Sequence, residues 1–460
     1  MNYKKELLTI CLLSGTMMAL SACGKNPNNP SSSNGGNNQN QKVTVTFWHS
    51  MGKTNQELLQ TMIKAFNDIY PNIEIKETAA AGGYEDLQTL VLKNVSTHNL
   101  PTMAFCYPDH VAQYLESGNG GIVANVEPFI NDAEIGFKAE EGSHVDEETG
   151  KTLTGVDDYV PSFWEEGCNY QKEGVYSVPF AKSTEALFYN KDVFDQNGWE
   201  VPQTWDQMWN LCQIIRDTYS EDEIVAPLGY DSDSNLFITL CQQMGIPYTS
   251  ATGDHYLFDN HQAKAMVKDL KEKFDKKYFI TKGSSGNNTY TSTKFTSGEI
   301  LMSIGSTGGT QYNGTQNFEV GVAEVPSYDL NSPAIISQGP SICIFNDASK
   351  EEQRAAWQFY KFISTAENST KYAVSTGYQP VRLSSYQTKN YIDFSHETTN
   401  LMNKVASLSS SLLNSYFNSP VFVGSATARK EVGSLVSSVL LGSKSVDDAF
   451  TQALSNCVNS

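Results

Sequence analysis

Residues 43–75 carry the pattern that most restricts how this chain can fold. Val43-Thr-Val-Thr-Phe47 alternates apolar and polar side chains, the period of a half-buried strand. Thr54-Asn-Gln-Glu57 has the spacing of a capping box and predicts a helix start. Leu58, Leu59, Met62, Ile63, Phe66, Ile69 and Tyr70 fall on one stripe, which Pro71 ends before Ile73-Glu-Ile75 alternates again. A strand, a helix and a strand in about thirty residues form a crossover unit, so the two strands lie parallel in one sheet. Thr102 to Cys106 supplies a third strand.

Similar signals recur downstream. Thr204-Trp-Asp-Gln207, Ser349-Lys-Glu-Glu352 and Ser445-Val-Asp-Asp448 each predict a capped helix followed by an apolar stripe. Segment 140–157 is polar, acidic and glycine-containing, which predicts a surface loop or hairpin. Repeated α/β alternation points to a doubly wound α/β architecture, whose sites lie at the carboxyl ends of strands. Residues 42–460 are too many for one ordinary core, so two lobes are expected.

The first 41 residues stand apart. Lys4 and Lys5 precede an apolar run, Leu7 to Leu20, whose 14 residues are too few to span a bilayer as a helix. It closes on Leu20-Ser21-Ala22-Cys23-Gly24, which resembles the lipobox of bacterial lipoproteins. That resemblance implies a signal peptide over 1–22 and a lipid on Cys23; the alternative is an ordinary signal peptide with an incidental cysteine. Gly24 to Gln41 has no side chain fit for a core and reads as a tether, its 18 residues reaching on the order of 25 Å. A chain built this way is anchored to a membrane and does not span it.

The formal charge is −19, or −20 with Lys4, Lys5 and Glu6 set aside, which disfavours nucleic acid and anionic lipid surfaces as partners. No cysteine pair has CxxC spacing, and the 7 histidines lack ligand spacing, so neither metal nor cofactor is expected. Asp231-x-Asp233-x-Asn235 imitates the start of a calcium loop, but Leu236 and Gln242 stand where that loop needs Gly and Glu. No nucleophile elbow, Walker loop, zinc-protease helix or dinucleotide fingerprint occurs, so a non-enzyme is expected. A glycoside hydrolase remains the rival class, because a carboxylate pair can be hidden among 51 acids; a surface adhesin or scaffold shares only the anchor.

Several segments in order resemble the family 1 extracellular solute-binding proteins, the capture subunits of ABC importers for carbohydrates. They are Val43 to Met51, Val178 to Phe194, Pro202-Gln-Thr-Trp205, Phe295 to Met302 and Gly442 to Ala449. The resemblance implies a two-lobe periplasmic-binding-protein-like α/β fold with hinge-crossing strands, lobe I being 42–182 and 324–366 and lobe II 183–323 and 367–460. It places crossings near 181–185, 319–325 and 364–370. It further implies a monomer at the extracytoplasmic face of the membrane that captures a small sugar or glycerol phosphate and delivers it to permease subunits in the membrane.

Within that family, Phe47 to Met51, Gly83-Tyr-Glu85, Ser183-Thr184, Ser306-Thr-Gly308 and Thr376 to Pro380 are similar to glycerol-3-phosphate-binding proteins. The ligand contacts so implied are Tyr84, Ser183, Ser306, Gly339, Tyr378 and Arg429. Hydroxyls and a guanidinium fork suit phosphate and polyol oxygens, and Gly308 and Gly339 suit close backbone approach. Two departures leave a phosphorylated polyol, a phosphodiester and a neutral sugar open. Tyr107-Pro108-Asp109 offers Asp109 one position away from the subgroup's acid, and Asp231 to Asn235 replaces its tryptophans. His49 reads as packing or hinge support, and Trp199, Trp205 and Trp209 as packing residues.

Overall fold

The computed structural model describes residues 42–286 and 289–459. The expectations for Cys23, the segment before it and the tether after it lie outside those residues. Strand β1 (Val43–His49) and β2 (Ile73–Ala79) pair in parallel from Val43↔Ile73 to His49↔Ala79, joined by the helix Lys53–Ile69. Leu59, Met62, Ile63 and Phe66 of that helix are buried, as the stripe requires. Its start differs from the capping-box expectation. Gly52 is the N-cap, and Thr54 lies inside the helix. Glu57, which would have closed the box, instead lies 3.9 Å from the Lys53 ammonium.

Strand β3 (Met103–Cys106) lies parallel to β1 on its other side. The segment around 140–157 forms a small hairpin, β4 (Ser143–Val145) with β5 (Thr152–Thr154). Then β6 (Val178–Pro179) is followed by β7 (Glu185–Asn190), β8 (Ala226–Tyr230), β9 (Phe279–Thr281), β10 (Ile300–Ser306) and β11 (Val320–Ala323). The last strands are β12 (Ile335–Ile336), β13 (Ser341–Ile344) and β14 (Tyr416–Phe417).

These strands make two five-stranded sheets, β2-β1-β3-β13-β6 and β11-β7-β10-β8-β9. Both are mixed. Neighbours connected by a helix within one lobe, such as β1 and β2, run parallel. Strand β13 reaches the first sheet from the opposite direction, after an excursion through the second, and is antiparallel to β3 and β6. That excursion is why the architecture departs from a purely parallel doubly wound sheet. The chain leaves the first sheet after β6, enters the second at β7, and is back in the first at β13.

The segments that pass between the sheets are tied to one another. Ser183 and Gln338 exchange backbone hydrogen bonds, each 2.8 Å, and Lys182 bridges Gln379 in the same antiparallel sense. Gly339 makes this approach possible. Its φ is +109°, and a Cβ there would sit 2.4 Å from the Ala181 carbonyl oxygen. The helix Lys350–Ile363 packs on β1, whereas Ser425–Leu440 and Val446–Val458 pack with the helices Asp233–Met244 and His261–Asp275 beside the second sheet.

Several side chains singled out above are structural. The buried His49 ring accepts from the Met51 amide at Nδ1 and faces Glu77 at 2.9 Å through Nε2, and burial holds its pKa below the usual value. Trp205 and Trp209 stack at 5.4 Å, and Trp199 meets Phe194 edge-on. The six described cysteines are free thiols, five of them buried. Among the described residues no helix is long and apolar enough to cross a membrane.

Candidate functional site

Strand β3 ends at Cys106, and Tyr107-Pro108-Asp109 turns at once into the helix Pro108–Glu116. This strand end forms one wall of a cleft that encloses about 610 Å³, part of it open to solvent. Across from it stand Tyr248 and Thr249, the loop from Asn418 to Val421, and the helix carrying Ser425 and Arg429. The crossing segment Ile336 to Gly339 forms the remainder, so both lobes and the hinge contribute.

The wall from the first lobe is already self-paired. Tyr107 stacks on Tyr84 with ring centroids 4.3 Å apart and planes at 26°. Tyr84 is hydrogen-bonded in turn to Tyr378, whose ring covers Gly308 so closely that a Cβ there would lie 2.7 Å away. Burial pushes all three phenols up, so they are neutral hydrogen-bonding groups. Asp109 lies in the first turn of its own helix and accepts from the His110 amide at 2.9 Å. Glu166 is buried against the fully buried Lys182, and the Lys182 ammonium also lies 3.4 Å from the Gly339 carbonyl. Burial raises the Glu166 pKa, and the Lys182 charge works against that shift.

The opposite wall is organised around a cation. Arg429 donates through Nη2 to Asn235 Oδ1 at 2.8 Å, and among the described residues it makes no ion pair. Asn235 belongs to the first turn of the helix Asp233–Met244 and is buried. Its Nδ2 donates to Glu185 Oε1 and to Gln338 Oε1, both at 2.8 Å. Tyr230 donates to the other Glu185 oxygen at 2.5 Å. Burial raises the Glu185 pKa to about 7, against hydrogen bonds from Tyr230 and Asn235 and the charge of Arg429. The amide therefore fixes the guanidinium from behind with a single hydrogen bond and leaves its remaining donors for the cleft.

Four further cleft residues carry a buried side-chain oxygen without a hydrogen-bond partner: Thr249 Oγ1, Ser337 Oγ, Asn418 Oδ1 and Ser419 Oγ. Asn418 is held by its other end, Nδ2 donating to the Ser162 carbonyl at 2.8 Å.

Of the residues expected to touch ligand, Asp109, Gly339 and Arg429 line this cleft. Tyr84 and Tyr378 lie one layer behind Tyr107. Ser183 sits in the hinge strip, and Ser306 caps its own turn by accepting from the Gly308 amide at 3.2 Å. Nothing in the spacing of residues marks Thr249, Ser337, Asn418 or Ser419, since single polar residues in loops carry no pattern, and Tyr107 stood out only as the neighbour of Asp109. The acids of the imitation calcium loop are consumed by protein: Asp231 accepts from Thr291, and Asp233 from Thr281 and the Gly283 amide. No cluster of potential metal ligands occurs among the described residues.

Two mixed α/β lobes, joined by crossing segments with a polar cleft at their junction, define a two-lobe binding-protein fold. Residues 61–398 match the family model described as bacterial extracellular solute-binding protein, and the chain belongs to that family. It is 24% identical over 363 residues to the sn-glycerol-3-phosphate-binding periplasmic protein UgpB of Rhizobium meliloti (strain 1021), covering 75% of this chain and 76% of that protein. The UgpB of Salmonella typhimurium is 25% identical over 370 residues, with 75% and 76% covered. Among solved structures, UgpB from Mycobacterium tuberculosis in complex with glycerophosphocholine superimposes with a TM-score of 0.71 at 18% identity, over 90% of this chain and 98% of that one. The substrate-binding protein Lmo0181 from Listeria monocytogenes, in complex with cycloalternan, gives 0.72 at 16% identity over 91% and 98%.

Proposed function

We propose that this protein is the membrane-tethered capture subunit of an ABC importer and that its solute carries a phosphate held by Arg429. The observation that carries the reading is a guanidinium on an interlobe cleft with an amide, and no carboxylate, as its partner. Such a group is a charge-assisted donor awaiting an anion. The kinship with glycerol-3-phosphate-binding proteins supports the same chemistry. The lobes divide at 42–182 with 324–366 and 183–323 with 367–460, and the strip at Lys182, Ser183, Gln338 and Gln379 is the hinge.

In this mechanism the phosphate docks first on Arg429, and hinge closure brings Tyr107 and Asp109 over the solute. A micromolar dissociation constant corresponds to about −8 kcal/mol, of which one hydrogen-bonded charge contact supplies roughly 1.5–3 kcal/mol. The closed form then meets the permease, and chains other than this one hydrolyse ATP. The protein turns nothing over; it binds and releases. Cys23 carries the lipid that keeps the monomer at the outer face of the membrane.

Two experiments test this. In a thermal-shift screen of sugars, polyols and their phosphates, glycerol 3-phosphate raises Tm more than maltose does, and Arg429→Ala abolishes the shift. Cys23→Ser moves the protein from the membrane fraction to the soluble one; unchanged membrane association would sink the anchor.

A further inference from the structure

We infer that the cleft has a second polar pole, built to receive the hydroxyls of a saccharide, so that the solute is a saccharide phosphate larger than glycerol phosphate. The inference rests on the phosphate reading of Arg429 and adds what lies at the other end of the ligand. Thr249, Ser337, Asn418 and Ser419 all line the cleft, and each holds a buried oxygen that nothing in the protein satisfies. Buried polar atoms are almost always paired, so four orphans lining one cleft mark a missing partner.

The chemistry of the set specifies that partner. Three are hydroxyls, which both donate and accept, and the fourth is an amide carbonyl, which only accepts. Asn418 is oriented by its bond to the Ser162 carbonyl, so its free atom is the oxygen. A partner that must satisfy both donors and acceptors, without charge of its own, is a polyhydroxylated ring. Tyr107, Tyr248, Pro420 and Val421 add the apolar surface on which the carbon faces of such a ring rest. The phosphate pole at Arg429 and the hydroxyl pole line the same cleft, so one molecule can engage both.

The test is isothermal titration of the full chain with three probes: glycerol 3-phosphate, trehalose, and trehalose 6-phosphate. The expected result is that the disaccharide phosphate binds at least about tenfold more tightly than either fragment. Thr249→Val and Ser419→Ala then each weaken the disaccharide phosphate about five- to tenfold while changing glycerol 3-phosphate less than about twofold, which also shows that the variants are folded. Equal affinity for the two esters, or variants that weaken both alike, overturns the hydroxyl pole and leaves Arg429 standing. Arg429→Ala with undiminished binding of both esters overturns the phosphate reading instead. Trehalose binding as tightly as its phosphate overturns the assignment of the solute as a saccharide phosphate.

Discussion

The two walls of the cleft are built on opposite terms. On the first-lobe side the main contacts are internal: Glu166 pairs with Lys182, Asp109 accepts from its own helix, and the Tyr107 ring stacks on Tyr84. On the second-lobe side Arg429 faces an amide, and the oxygens of Thr249, Asn418 and Ser419 face nothing, as does that of Ser337 on the crossing segment. A wall whose partners are all internal supplies shape and rigidity at little cost to its own stability. A wall with open valences supplies recognition, because satisfying them is what ligand binding adds. On the proposed function, that asymmetry has the second lobe capture the solute and the first close over it.

The largest expected effect breaks the closed wall. Lys182→Met leaves Glu166 buried without its cation and is expected to destabilise the protein by about 3–5 kcal/mol, read by chemical denaturation. Adding Glu166→Leu should recover most of that loss. If Lys182→Met alone is neutral, the buried pair is not what holds this wall.

The next effect sharpens the open wall. Glu185 has its pKa raised to about 7 in the fold, against about 4.3 in an unfolded chain. Between those values the native state holds the extra proton, so stability falls as pH rises through the window and levels off above it. The total is on the order of 4 kcal/mol, and Glu185→Gln should flatten the profile. Ionised Glu185 also competes with an anion for Arg429. Affinity for a phosphodiester of fixed charge should therefore drop as pH rises past about 7, and this too should vanish in Glu185→Gln. A pH-independent affinity in the parent protein contradicts the coupling.

The smallest effect compares rings with hydroxyls. Tyr107→Phe keeps the stack on Tyr84 and should shift stability by less than about 0.5 kcal/mol, whereas Tyr107→Ala loses about 0.5–1.5 kcal/mol of pairing beyond the buried area. Thermal melts of both variants decide it.

Much of the fold was legible because its signals are periodic. The stripe from Leu59 to Phe66 and the caps at Thr204, Ser349 and Ser445 needed only local rules. The antiparallel return of β13 was not legible, because it depends on an excursion of over a hundred residues whose path no local rule encodes. Arg429 could be singled out by resemblance. Its partner Asn235 could not, since it lies 194 positions away and looked like part of a cation loop. Thr249, Ser337, Asn418 and Ser419 were invisible for the same reason: what marks them is the absence of a partner, a property of space and not of sequence.

The central claim is that Arg429 holds an anion. Titration calorimetry of glycerol 3-phosphate into the parent protein and into Arg429→Ala tests it most directly. The parent protein is expected to bind and the variant to lose at least about tenfold in affinity, with trehalose affinity unchanged. Equal affinity of parent and variant for the phosphate would contradict it.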